Sequence, residues 1–189
     1  MARPPSFTRE AVVERAMEVF WREDFHGASI AQLGAAMGLR PGSIYAAFGS
    51  KEGLFREALA AYTRQVRARA RALQLGPRAL LERWFTLHID RALAEAGGRG
   101  CLLLNSVAEL PRLDDETVAA VRAELDALER LFHHCVASVR RQTPRPDGPS
   151  PTATARLLVA ALIGIGVMSR AGAPRRTLRA VAHAALAQV

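Results

Sequence analysis

Apolar residues return at intervals of three and four along almost the whole chain, while the alternating runs that make strands are nearly absent. Only a helix gathers residues so spaced onto one face, so the chain is predicted to be all-α. Residues 8–23 (TREAVVERAMEVFWRE) set Val12, Ala16, Val19 and Phe20 on one side, behind Thr8 as a candidate N-cap. The HGA at 26–28 interrupts this helix. Ser29 then caps a second, IAQLGAAM, with Ile30, Leu33 and Met37 inward and Gly38 as its stop. Pro41 suits the first position of a short third helix, which turns Ile44 and Phe48 inward. Gly49 and Ser50 end it, and Ser50 caps a fourth helix running from Lys51 into the low seventies. Beyond Pro77 the helices lengthen, over 77–96, 100–110, 114–142, 152–170 and 175–187, with a proline-rich loop at 143–151 (TPRPDGPSP).

Several function classes fall away on composition. Half of the 189 residues are hydrophobic, enough for a core, and the net charge of +8 favours a polyanionic partner unless the arginines merely reflect a biased coding composition. The apolar run at 157–169 would span about 20 Å as helix, short of a bilayer core of about 30 Å, so a buried helix and no membrane partner are expected. The first residues, MARPPSFTREA, lack the apolar stretch of a secretory signal, and two cysteines make no disulfide framework, which together favour a cytoplasmic protein. His133, His134 and Cys135 stand about 100° apart around a helix and cannot converge on one ion, so no metal or cofactor is expected. No G-x-S-x-G elbow, P-loop, HExxH or supported carboxylate pair points to an enzyme.

Three helices with a tight turn, the third only about eight residues long, form the layout of a helix-turn-helix unit. A helix entering a major groove about 12 Å wide needs low bulk on its leading face. Gly42, Ser43, Ala46 and Ala47 supply it. Lys51 is the only lysine in the chain and opens the fourth helix, where unpaired N–H groups favour an anion and disfavour a cation. A DNA phosphate would supply the missing anion.

The stretch S-I-x-x-L-G-x-x-M-G-L-x-P-G-S-I-Y-x-x-F-G-S-K-E-G-L-F over residues 29–55, with Phe20, Gly27 and Ala28 upstream, closely resembles the TetR family of bacterial transcription regulators. The resemblance implies a head over residues 6–56 that binds DNA and a helical-bundle body over 57–189 that binds an effector and dimerises. It implies a homodimeric repressor on a palindromic operator of double-stranded DNA. Within it, Ser29 matches the phosphate-binding cap, Arg40, Pro41, Gly42 and Ser43 the leading end of the recognition helix, and Tyr45 and Lys51 the phosphate-contacting pair. Ala46 and Ala47 depart from the larger residues common there, which shifts base readout toward Arg40 and Ser43. The segment GCLLLNSVAEL at 100–110 also resembles part of one branch of such bodies.

In that segment Cys101, Asn105 and Ala108 share a helical face, and Trp84, His88 and Phe132 are candidates for facing walls of a pocket. A buried Asn105 amide needs partners, supplied either by a ligand or by the core. Few charges lie among these walls, so a small apolar or aromatic effector is expected. Cys101 is alternatively a redox or electrophile sensor, although no neighbouring cation in sequence would activate it. The Arg67, Arg69 and Arg71 run is either a grip on DNA or, the favoured reading, a solvated face or junction. Dimerisation is assigned to 152–170 and 175–187, with Ala160, Ala161, Gly164 and Gly166 allowing close approach and Leu157, Leu158, Leu162 and Ile165 supplying apolar area. An effector-independent architectural DNA-binding protein would share the head and the charge but have no cavity in its body.

Overall fold

The computed structural model describes residues 8–94 and 100–189, and every regular element among them is helical. The start of the expected head, residues 6–7, and the end of the helix expected over 77–96 lie outside the described residues. α1 (Arg9–Gly27) begins where Thr8 accepts a hydrogen bond from the Ala11 N–H at 3.3 Å. Its backbone leaves helical geometry at Asp24 (φ 58°, ψ 177°), two residues before the expected interruption, so residues 25–27 form a separate turn. Such a φ/ψ pair costs a non-glycine residue about 1–3 kcal/mol.

α2 (Ile30–Met37) starts with a full capping box, Ser29 accepting from the Gln32 N–H at 3.1 Å while the Gln32 side chain accepts from Ser29 N–H at 2.8 Å. Gly38, with φ 69°, ends it in the left-handed conformation. α3 (Pro41–Phe48) follows, then α4 (Lys51–Ala72), capped by Ser50 accepting from Gly53 N–H at 3.0 Å. The turns between these helices are tight. A Cβ on Gly34 would lie 2.7 Å from the Leu39 carbonyl oxygen, and one on Gly53 would overlap the carbonyl oxygen of Phe48. Behind the turns Phe20, Phe25 and Phe55 pack ring to ring at 5.1–6.1 Å, each ring contributing about 1.5–3 kcal/mol by burial.

The body comprises α5 (Pro77–Ala92), α6 (Leu102–Ser106), a 3-10 turn at Val107–Arg112, α7 (Asp115–Gln142), α8 (Pro151–Arg170) and α9 (Arg175–Leu186). The single helix expected over 100–110 is therefore two pieces, the second of them a 3-10 turn containing Pro111, which has no N–H to donate. Phe85, Phe132, Leu158, Leu162, Ile165 and Leu178 form the body core. Arg140 fastens its far end, donating to Thr154 Oγ1 at 2.9 Å, to the Gln188 carbonyl at 2.8 Å and to the Pro149 carbonyl.

α8 is only partly buried, contrary to expectation. Leu158, Leu162, Ile165 and Gly166 face the protomer core, Gly166 against the His88 ring. Leu158, Leu162, Ile165 and Gly166, all expected at the dimer interface, are therefore buried and unavailable to a partner. The outward stripe consists of Leu157, Ala160, Gly164 and Val167, with Ala161 half-buried beside it. By length and hydropathy this helix is long and apolar enough to cross a membrane, yet its inner face packs on α5, α7 and α9.

α4 passes through the expected head–body boundary as one 22-residue helix. Ala58, Leu59 and Tyr62 belong to the same core as Phe20 and Phe55, and Leu102, Leu103 and Val121 from the body close that core.

Candidate nucleic-acid interface and internal cavity

Ile44 anchors α3 at zero exposure, which leaves Pro41, Gly42, Ser43, Tyr45, Ala46 and Ala47 facing out. A Cβ on Gly42 would meet nothing within 4 Å. Arg40 is the N-cap residue and makes no side-chain capping bond; its carbonyl accepts from the Ser43 and Ile44 N–H groups at 2.9 and 3.3 Å, and its side chain is exposed at the start of α3. Tyr45 is 49% exposed, so its ring stands outside the core. Arg9, which the sequence reading did not single out, supports this helix from behind. Its guanidinium lies 4.4 Å from the Phe48 ring centroid, donates to the Ala47 carbonyl at 3.1 Å and pairs with Glu57.

Ser29 and Lys51 stand at the N-termini of α2 and α4, on either side of α3 in the chain. Lys51 is half-buried, with Nζ 4.5 Å from the centroid of Phe25. Desolvation pulls its pKa below the ordinary lysine value, against the pull of Glu52 and Glu109. The ring face steadies an ammonium that the helix dipole opposes. The exposed α3 thus lies between a capped helix start and a steadied cation, the kinds of group that can hold phosphates.

Between α4, α5 and α7 lies a cavity of about 610 Å³, closed on one side by Leu103 and Leu104 of α6. Trp84, His88 and Cys101 line it as expected, but two other expected wall residues do not. Phe132 is fully buried behind Trp84, edge-on at 5.6 Å, and Asn105 is turned outward so that its Oδ1 accepts from Arg170 at 2.8 Å. Nor are the walls poor in charge, since Arg67, Arg83, Arg91 and Glu124 all contribute, with Arg67 and Glu124 paired to each other. Tyr62, absent from the sequence reading, brings a hydroxyl to this wall.

His88 sits with one ring nitrogen, Nε2, 2.9 Å from the Leu162 carbonyl oxygen. Burial drives its pKa down to about 4, so the ring is neutral near pH 7 and Nε2–H is the donor. Burial pushes the Cys101 thiol up, with Tyr62 beside it, which is the opposite of an activated thiolate. His133 and His134 are exposed while Cys135 is buried, and no three metal-ligating residues converge among the described residues.

Head and body meet at specific groups. Glu109, on the 3-10 turn, accepts from the backbone N–H groups of Phe25 and His26 at 3.0 Å each, immediately after the strained Asp24. Arg56 of α4 donates to Thr117 Oγ1 at 3.0 Å and pairs with Asp114 and Glu116 at the start of α7. Trp21 of α1 packs edge-on against Tyr62 at 5.0 Å, and the Arg91 guanidinium lies 6.0 Å from the Trp21 ring. Glu109 and Arg56 left no local pattern in sequence, since their partners are tens of residues away.

Residues 12–58 match the family described as bacterial regulatory proteins, tetR family. Along 188 residues, 97% of this chain and 90% of the relative, the sequence is 24% identical to the HTH-type transcriptional repressor ComR of Escherichia coli (strain K12). A solved cysteine mutant of the TetR family transcriptional regulator CifR, complexed with 26 bp double-strand operator DNA, superposes with a TM-score of 0.79 at 34% identity, covering 98% of each chain. The reduced form of NemR from E. coli gives a TM-score of 0.80 over 94% of each chain at 18% identity, a likeness of fold.

Proposed function

The chain belongs to the TetR family of DNA-binding transcriptional regulators, and from that premise we propose that it is an effector-responsive repressor that grips a palindromic operator as a homodimer. The observation carrying this reading is the outward face of α3, left unpaired between Ser29 and Lys51 in a chain of net charge +8. Arg40 and Ser43 read base edges, while Ser29, Tyr45 and Lys51 hold phosphates and so set register without reading sequence. Pro41 and Gly42 let the backbone approach the groove. Two copies join through the outward stripe of α8 together with α9, placing two recognition helices about one helical turn of DNA apart, some 34 Å. Acting on chromosomal DNA, the protein works in the cytoplasm and needs no membrane.

The cavity favours effector control over a purely architectural role, because a body that only spaced two heads would gain from filling it. The effector is a small, largely apolar molecule lying against Trp84, with His88 and Cys101 as wall. Its entry moves α4 and α6 against α1, changing the separation of the two recognition helices and weakening the operator complex. The elevated pKa of the Cys101 thiol argues for packing over sensing at that residue.

Operator titrations at several salt concentrations test the DNA-binding part. Lys51→Ala lowers affinity nearly uniformly across operator variants and reduces the slope of log affinity against log salt by about one. Lys51→Arg also loses affinity, because the planar fork does not reproduce a compact ammonium seated over Phe25. Equal binding by Lys51→Arg and the wild type at matched salt removes the demand for shape. A Lys51→Ala protein with altered sequence preference removes the phosphate assignment.

A further inference from the structure

The Tyr62 side chain raises a question the DNA-binding reading does not answer. It is 4% exposed and lies on the wall of the 610 Å³ cavity, and its hydroxyl makes no well-formed hydrogen bond among the described residues, with only the Cys101 thiol and the Leu102 backbone beside it. The Leu102 N–H can only donate to the oxygen, and the Cys101 thiol is a weak partner, so the hydroxyl proton has no good acceptor. A buried hydroxyl whose proton has no acceptor is destabilising, and phenylalanine would pack against Trp21 as well without that cost. The hydroxyl is therefore best explained by something that occupies the cavity.

The charge of the walls narrows what that is. Glu124 is the cavity's carboxylate and is taken by Arg67, while His88 is neutral and committed to Leu162. Arg69, Arg71, Arg83 and Arg91 remain as cations, and among the described residues none of them is paired with a carboxylate. Arg91 is near enough to the hydroxyl to hold the Tyr62 pKa down against burial, and it acts likewise on the Cys101 thiol. The rest of the wall is apolar, with Leu73, Leu80, Trp84, Leu87 and Leu131 leading away from this polar corner.

We propose that the cavity binds an amphiphilic carboxylate, an aliphatic or aryl acid, whose carboxylate accepts from the Tyr62 hydroxyl and the Arg91 guanidinium while its apolar tail lies along Trp84 and the leucines. The expectation of an apolar effector becomes that of an apolar acid. A charge-assisted bond to Arg91 joined to one from a buried hydroxyl gives both affinity and orientation. The same two side chains touch Trp21 of α1, so an acid bound there acts directly on the head's first helix. That regulatory consequence rests on the effector-responsive reading above; the binding does not.

The test is isothermal titration calorimetry of the full-length protein with decanoate and 2-naphthoate, each against its neutral primary amide. At least one acid binds the wild type tenfold or more tightly than its amide. Arg91→Gln abolishes that preference and leaves amide binding unchanged, and Tyr62→Phe weakens the acid several-fold, both variants retaining operator binding as the check on folding. No binding of either acid, equal binding of acid and amide, or an Arg91→Gln variant that weakens both equally overturns the proposal. Operator release is measured in parallel. Charge-dependent binding without release upholds the ligand class and sinks the effector-responsive reading; release by amide as readily as by acid does the reverse.

Discussion

The head and the body use the same ingredients, helices and leucine-rich faces, and spend space in opposite ways. In the head the backbones of α2, α3 and α4 approach so closely that Gly34 and Gly53 have no room for a methyl group, and three phenylalanines interlock behind them. In the body, longer helices splay around a volume of about 610 Å³ and keep a neutral histidine and an unsatisfied hydroxyl beside it. Dense packing holds the outward face of α3 in one position, as reading DNA demands. A lined void forfeits contact energy but can rearrange when filled. On the proposed reading, precision is placed where the partner is rigid, and compliance where the partner is small.

Glycine substitutions test that contrast most severely. Gly53→Ala drives a methyl group into the Phe48 carbonyl and is expected to destabilise the head by about 3 kcal/mol or more, with operator binding lost. Gly164 has open space around it, so Gly164→Arg leaves the protomer folded and converts dimer to monomer in sedimentation. If Gly164→Arg remains a dimer, the interface lies elsewhere. If Gly53→Ala keeps its melting temperature, the head is not the close-packed half.

Acid should loosen the body first. Unfolded His88 takes up a proton near pH 6.5, whereas the folded ring resists until about pH 4, so its contribution to stability is intact above 6.5 and is lost as pH falls toward 4. A shift of that size corresponds to about 3 kcal/mol, while His26 of the head is exposed. Urea unfolding at pH 7 and pH 4.5 compares the wild type with His88→Met. Equal acid losses in the two proteins remove His88 as the cause. The smallest effect concerns the seam. Glu109→Ala strips two backbone donors of their acceptor, at about 1–2 kcal/mol, and hydrogen exchange at the Phe25 and His26 amides should quicken while α2 keeps its protection. Unchanged exchange would mean that head and body are not joined there.

What could be read in advance follows the range of the interactions. Thr8, Ser29 and Ser50 act on amides three residues away, Pro41 and Gly38 on their own φ angles, so the head's helices and their ends were legible almost to the residue. Asn105 was placed by periodicity on the face of a helix that actually breaks after Ser106, and its partner, Arg170, is 65 residues away. Ile165 was misplaced because α8 is apolar on all sides, leaving no polar stripe to mark the outside. Tyr62 and Arg91 sit on unremarkable helical segments and gain meaning only where α4 and α5 flank one void.

The continuity of α4 bears on how such a protein can change over generations. Ala58, Leu59 and Tyr62 complete a core begun by Phe20, and Leu102, Leu103 and Val121 seal it from the other half of the sequence. A crossover between residues 56 and 57 would therefore cut through one hydrophobic interior rather than between two. DNA preference and chemical preference cannot be shuffled among relatives as independent cassettes; a viable hybrid must inherit the α6 surface along with the helices it seals.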